Sequence, residues 1–453
     1  MGTPPPGAQV PGSAPLRRTI GRLALTGLVL NAVIGSSVFG LPSTIGGRLG
    51  AASPWAWLVA ALGMTLVVAC FAEVASRFEG AGGPYLYARG AFGRLAGIEM
   101  AWLSYLVRLT AAATNANLLV IYLGEFVPGV QGRLAASLVL ATVLVPLAVA
   151  NYRGVGTGLG VSSAFTVAKL LPLTLFILLG LAFLPLDPAV RPPMPRPGAG
   201  DWLEVILLLV FAYGGFEAAL MPLGEARDPR RDAPVALFAA LGICALVYTA
   251  VQVVVILALP DPALAPRPLA AAAAVFLGRG GSMLLAGGAL VSVYGYLAGA
   301  MLNVPRLTYA LAEQGDLPSR LGEVHPRFRT PHTSVVLFAV LVWALASAGS
   351  FLQNLSLSAV SRLLGYGAIC VALMVFRRRE RRGDPSAPPA WYRVPAGPLV
   401  ALLGLLFTAV LALRMNGREL GVLLATLAIG FLHWEWMRRR AAGPEAPREH
   451  AGG

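Results

Sequence analysis

LVLNAVIGSSVFGLPSTIGG, residues 28 to 47, decides the fold. It begins as an apolar run fit to enter a bilayer. Gly35-Ser36-Ser37 then interrupts it, and Phe39-Gly40-Leu41-Pro42 follows. Gly and Ser in sequence weaken a helix interior, because Gly carries the largest backbone entropy and Ser competes for backbone hydrogen bonds. Freed backbone groups at membrane depth survive only when buried in protein or lining a cavity. The stretch therefore predicts a broken membrane helix with a small polar site at the break. The blander alternative is a packing helix kinked by Gly.

A second break lies at Phe211-Ala212-Tyr213-Gly214-Gly215-Phe216-Glu217. Gly35 precedes Pro42 by seven residues, and Gly215 precedes Pro222 by the same interval. Interrupted apolar segments at matching places in two halves point to the solute site of a secondary transporter.

The totals agree. Of 453 residues, 57% are hydrophobic and 12% charged, and the mean hydropathy is +0.72. Apolar runs of roughly 20 residues recur along the chain, which predicts a polytopic all-α membrane protein. Twelve segments are expected, near 22–47, 54–77, 94–123, 134–151, 156–184, 202–223, 234–259, 282–310, 333–350, 355–376, 398–414 and 419–437. No cleavable signal is expected, because the first apolar stretch is too long and lacks a cleavage site. The Pro/Gly-rich residues 1–18 are expected to be a disordered tail.

The net charge of +14 would suggest nucleic acid only if the positions were ignored. With the N-terminus inside, 24 basic residues fall on inner stretches, 8 on outer loops and 3 within segments. That bias places both termini in the cytoplasm of an inner or plasma membrane and excludes a nucleic-acid partner. The run Arg377 to Arg382 is most simply a stop signal. Cys70, Cys244 and Cys370 lie in apolar segments, offering neither a disulfide framework nor metal-ligand spacing. No metal or cofactor is expected, and no nucleophile with a base stands at membrane depth, so an enzyme is not indicated. A non-transporting sensor would usually carry a soluble output domain, and the tail 438–453 is too short for one.

At each break, helix-half N-termini attract a carboxylate and C-terminal carbonyls an ammonium. A zwitterionic amino acid satisfies both. Ile34, Gly35, Ser36, Ser37 and Val38, with Phe211, Ala212, Tyr213, Gly214, Gly215 and Phe216, form the expected substrate site. The aromatics are either a side-chain pocket and gate or ordinary core.

Of 35 basic residues only Lys169 is a Lys. It lies mid-segment, where a charge costs about 2.5–3.5 kcal/mol on insertion scales, so it should face the protein interior. Lys can release its proton in such a place and Arg cannot. Lys169 is therefore the expected proton-coupling residue, the alternative being a structural cation on backbone carbonyls. Arg108 recognises a substrate carboxylate, pairs with Glu217 or ties helices. Glu217 is a gate, a proton partner or a cap for unwound backbone. Arg362 is expected to snorkel outward, and Glu73 and Glu99 to be structural.

These residues resemble the amino acid–polyamine–organocation superfamily of amino acid permeases. Gly35-Ser36-Ser37-Val38-Phe39-Gly40-Leu41-Pro42 resembles its Gly-Ser-Gly-Ile-Phe break, with Ser37 for the second Gly. Gly82-Gly83-Pro84-Tyr85-Leu86-Tyr87 resembles its Gly-Gly-x-Tyr-x-Tyr signature. Phe211 to Glu217, continuing into Gly224-Glu225-Ala226-Arg227-Asp228-Pro229 and Pro234, resembles the helix-six break and its follow-on. Arg306 to Pro318, with His325-Pro326 and Thr330-Pro331, resembles the loop after helix eight. The resemblance implies a 5+5 inverted repeat of the leucine-transporter type. Residues 19–184 and 202–376 would be the repeats and 398–437 two trailing helices. It also implies that Lys169, in its Lys-Leu-Leu-Pro setting, replaces sodium in a proton-coupled member. The expected partners are an amino acid, protons and the bilayer.

Overall fold

The computed structural model describes residues 20–79, 82–154, 159–184, 196–313, 315–385 and 387–441. The tail 1–18, with Arg17 and Arg18, and most of the tail 438–453 lie outside the described residues.

The described chain is all-α. Its helices are α1 (Arg22–Val33), α2 (Ser37–Leu49), α3 (Ser53–Ala75), α4 (Pro84–Phe92), α5 (Arg94–Leu123), α6 (Arg133–Tyr152), α7 (Leu159–Phe183), α8 (Ala199–Tyr213), α9 (Phe216–Ala219), α10 (Pro229–Ala258), α11 (Pro268–Glu313), α12 (His332–Ala348), α13 (Phe351–Arg381), α14 (Gly397–Ala412) and α15 (Gly417–Ala441). Among the described residues, eight helical stretches are long and apolar enough to cross a membrane, and Arg22–Val33, His332–Ala348 and Gly397–Ala412 are shorter apolar helices.

Each of the twelve expected segments falls on one helix or a broken pair. The segment 22–47 is α1 and α2, parted at Ile34–Ser36, where Ile34 is extended. The segment 202–223 is α8 and α9, parted by an extended Gly214 and a left-handed Gly215. Two elements were not expected: α4, and the start of α11 before its non-helical residue Gly278. Neither has the length and apolarity of a span, so hydropathy does not mark it.

Position in the bundle follows the apolar pattern. In α5 78% of the most apolar window is buried, against 11% in α15. Helix α5 lies at the centre, along α11 and α13, and α3 packs on α10 and α8. Leu62, Leu246 and Leu432 are exposed on the outside. Such leucines suit contact with lipid tails and would be costly in water.

Polar side chains tie together the end of the bundle around Glu73. Buried Glu73 accepts from Arg77 (3.0 Å), from Arg377 (2.8 and 2.5 Å) and from the Val394 N–H (2.8 Å). Glu73 is thus structural, as expected. The basic run is more than a stop signal, because Arg379 also donates to the carbonyls of Gly90 and Ala91, both at 2.9 Å, at the end of α4. The chain before α1 joins the stretch after α9 through Ile20 N–H to Glu225 O (3.0 Å) and Arg227 N–H to Ile20 O (2.9 Å).

Candidate functional site

The two breaks meet. A methyl group at Gly215 would lie 2.3 Å from the Ala32 carbonyl oxygen, far inside contact distance. With φ at +106°, Gly215 also holds a conformation that costs other residues strain. Tyr248 of α10 bridges the junction, its hydroxyl donating to Val33 O (3.1 Å) and Ala212 O (3.3 Å). The residues expected to form the site, Ile34 to Val38 and Phe211 to Phe216, are all buried.

The first break presents backbone in both polarities. Where α1 stops, its last carbonyls are freed. Lys169 of α7, 3% exposed, donates to Ile34 O (2.8 Å) and Asn31 O (3.0 Å). At the start of α2, no hydrogen bond among the described residues engages the N–H groups of Gly35, Ser36, Ser37 or Val38. The Ser36 hydroxyl and the Asn115 side-chain oxygen of α5 are buried there without partners. The Asn115 oxygen approaches to 4.0 Å of where a Gly35 methyl would stand. An ammonium acceptor and a row of carboxylate donors therefore lie within one turn of chain.

The second break carries the ion pair. Glu217 Oε2 accepts from the Gly215 N–H (2.9 Å) and from the Tyr366 hydroxyl (3.2 Å). Its Oε1 accepts from Arg362 Nε of α13 (2.9 Å). Glu217 thus caps the unwound backbone and holds a buried cation at once. Arg362 does not snorkel outward. It is 6% exposed, its guanidinium stands 5.1 Å over the Phe211 ring, and only Gly at 214 leaves it room. Its attraction to a buried carboxylate outweighs the route to water.

Arg108 does not pair with Glu217. Among the described residues its hydrogen bond goes to the Met221 sulfur at 3.0 Å. Of the aromatics, Tyr213 donates to Trp57 O (2.9 Å) and packs on Trp57 and Tyr248, so its phenol is committed to the scaffold. Phe216 stacks on Tyr366 and meets Phe71 edge-on. Val29, Val33, Val68, Tyr213, Phe216, Leu237 and Leu241 enclose a cavity of about 10 Å³ behind the breaks. Glu99 lies apart, on a groove of about 350 Å³ lined mostly by apolar side chains, its Oε2 without a partner.

Sequence reasoning missed Tyr248, Gln252 and Asn115. Gln252 accepts from Trp57 Nε1 (3.1 Å) and donates to Pro42 O (3.2 Å) and Ser53 Oγ (3.0 Å). A signal existed, since Tyr248 and Gln252 stand four residues apart in an apolar helix and so share a face. Among the described residues, no group of three His, Cys, Asp or Glu could hold a metal ion.

Comparison with known proteins places this arrangement. Residues 20–433 match the family described as amino acid permease. The methylthioribose transporter of Bacillus subtilis (strain 168) is 26% identical over 407 residues, covering 86% of this chain and 87% of its own. The branched-chain amino acid permease BcaP of the same organism is 24% identical, covering 94% of each. Its serine/threonine exchanger SteT is 28% identical, covering 86% of this chain and 89% of its own.

Proposed function

Because this chain belongs to the amino acid permease family, a transporter and not an enzyme, we propose that it carries amino acids across the plasma membrane by proton-coupled alternating access. The observation behind the reading is the first break. There Lys169 grips the carbonyl end of α1, while among the described residues the N–H groups of residues 35–38, the Ser36 hydroxyl and the Asn115 side-chain oxygen stand unengaged. The substrate α-carboxylate would take the α2 N–H groups, and its ammonium the carbonyls about both breaks. Residues 34–38 and 211–216 would hold it, with Glu217 keeping the second break open through Gly215.

Lys169 would carry the proton. A charged ammonium binds the α1 carbonyls more strongly than a neutral amine. Its protonation state would thereby bias how firmly α1 is held, and so the balance of inward and outward forms. In this reading the twelve segments form a 5+5 inverted repeat, residues 19–184 and 202–376, with 398–437 trailing and both termini cytoplasmic.

The test is uptake of a radiolabelled amino acid panel into proteoliposomes, with and without an inward proton gradient, empty or preloaded. Gradient-driven accumulation into empty vesicles is expected. The likeness to a serine/threonine exchanger gives a second reading, obligatory exchange, in which only preloaded vesicles take up substrate. No uptake of any amino acid under either condition overturns both.

A further inference from the structure

The charges around the second break do not balance. Glu217 is neutralised by Arg362 at 2.9 Å. Arg108 lies close enough to interact with Glu217, Arg362 and Tyr296. These four and Tyr366, which donates to Glu217, are the titratable groups that meet there among the described residues, and with both tyrosines neutral they sum to one excess positive charge. That charge is the Arg108 guanidinium. It donates to a thioether, a weak acceptor, and its Nε is buried without a partner. A guanidinium held this way at membrane depth is costly, and an anionic group beside it would relieve the cost.

Its placement says which anion. Arg108 and Asn115 are seven residues apart on α5, two turns along one face and roughly 10 Å in rise. Asn115 faces the first break at Gly35. Met221, which Arg108 touches, follows the second break. The face of α5 thus runs from the expected α-group site to the unpaired cation. We infer that Arg108 is a specificity residue and that the preferred substrate is an amino acid with an acidic side chain, its second carboxylate meeting Arg108. The inference rests on the amino acid transport reading and names its substrate class.

The experiment compares radiolabelled glutamate and aspartate with glutamine, asparagine and leucine in proteoliposomes of the full chain. Each acid differs from its amide only in charge at the same shape. Glutamate or aspartate is expected to enter about tenfold faster than its amide, the worth of one charge-assisted hydrogen bond. Arg108→Gln is expected to bring that ratio near one, while Arg108→Lys keeps part of it. Should Arg108→Gln fail to fold, the wild-type ratio and the Lys variant still decide. The inference is overturned if an amide enters as fast as its acid in wild type, or if Arg108→Gln leaves the ratio unchanged. It is also overturned if neutral uptake requires chloride, which would make Arg108 an inorganic-anion site. Uptake of neutral amino acids without acids defeats this inference alone; uptake of none defeats the transport reading with it.

Discussion

The ammonium nitrogen of Lys169 stands 2.8 Å from the carbonyl oxygen of Ile34, the residue at which α1 ends. The only lysine of the chain is therefore spent on backbone that a continuous helix would have satisfied. The contact joins α7 to the first break across 135 residues of sequence, and it depends on how many protons the nitrogen carries.

Lys169→Met leaves an unbranched side chain one atom shorter and removes the charge. The variant is expected to fold, to lose the response of uptake to an inward proton gradient, and to retain exchange between internal and external substrate. Proton-driven uptake at the wild-type level would remove Lys169 from the coupling mechanism.

Gly215→Ala is expected to abolish transport. The new methyl would meet the Ala32 carbonyl at 2.3 Å and occupy φ +106°, a conformation that strains a non-glycine residue by roughly 1–3 kcal/mol. The breaks must separate to accept it. Gly299→Ala in α11, where nothing lies within 4 Å, is the control and should transport normally. Equal uptake by the two variants would refute the close junction.

Breaking the buried pair should cost more than deleting it. Glu217→Ala strands Arg362 beside Arg108 and removes the partner of the Gly215 N–H, with an expected loss of about 3–5 kcal/mol. Glu217→Gln with Arg362→Met leaves no stranded Arg362 charge and should restore part of the thermal midpoint of the detergent-solubilised protein. A double variant no more stable than Glu217→Ala would show that the pair is not energetically coupled.

Tyr85 of the short helix α4 donates to Asp316, which also receives Arg89 and Arg94, each at 3.0 Å. Burial, and next the Asp316 carboxylate, push the phenol up from 10.0 to about 12. Since its protonated form is favoured in the folded state, its contribution is complete below pH 10 and is lost as pH rises toward 12. The thermal-midpoint difference between wild type and Tyr85→Phe should be flat below pH 10 and shrink above it. A difference that grows with alkalinity would reverse the assignment.

Much of this was legible in the residue order. Apolar runs have a length set by the bilayer, so the helices lie near where hydropathy places them. The breaks were legible because Gly35-Ser36-Ser37 and Gly214-Gly215 contradict their apolar surroundings. Lys169 stood out because a lone charge in an apolar segment must face protein. Helix α4 and the start of α11 escaped, because a short amphipathic turn has no bilayer length to announce it.

What the order of residues could not supply was which charge meets which. Glu217, Arg108 and Arg362 were all visible as charges in apolar segments, but pairing depends on helix rotation and packing. Helix rotation turns Arg362 inward over Phe211 to Glu217 and leaves Arg108 beside a sulfur. The sequence by itself determined the membrane helices, their breaks and the buried lysine, because each is a local conflict between residue type and hydrocarbon. The tertiary structure alone decided that the breaks touch, that Tyr248 joins them, that Asn115 faces the first, and that one guanidinium remains over, because such contacts are set by distances between helices far apart in the chain.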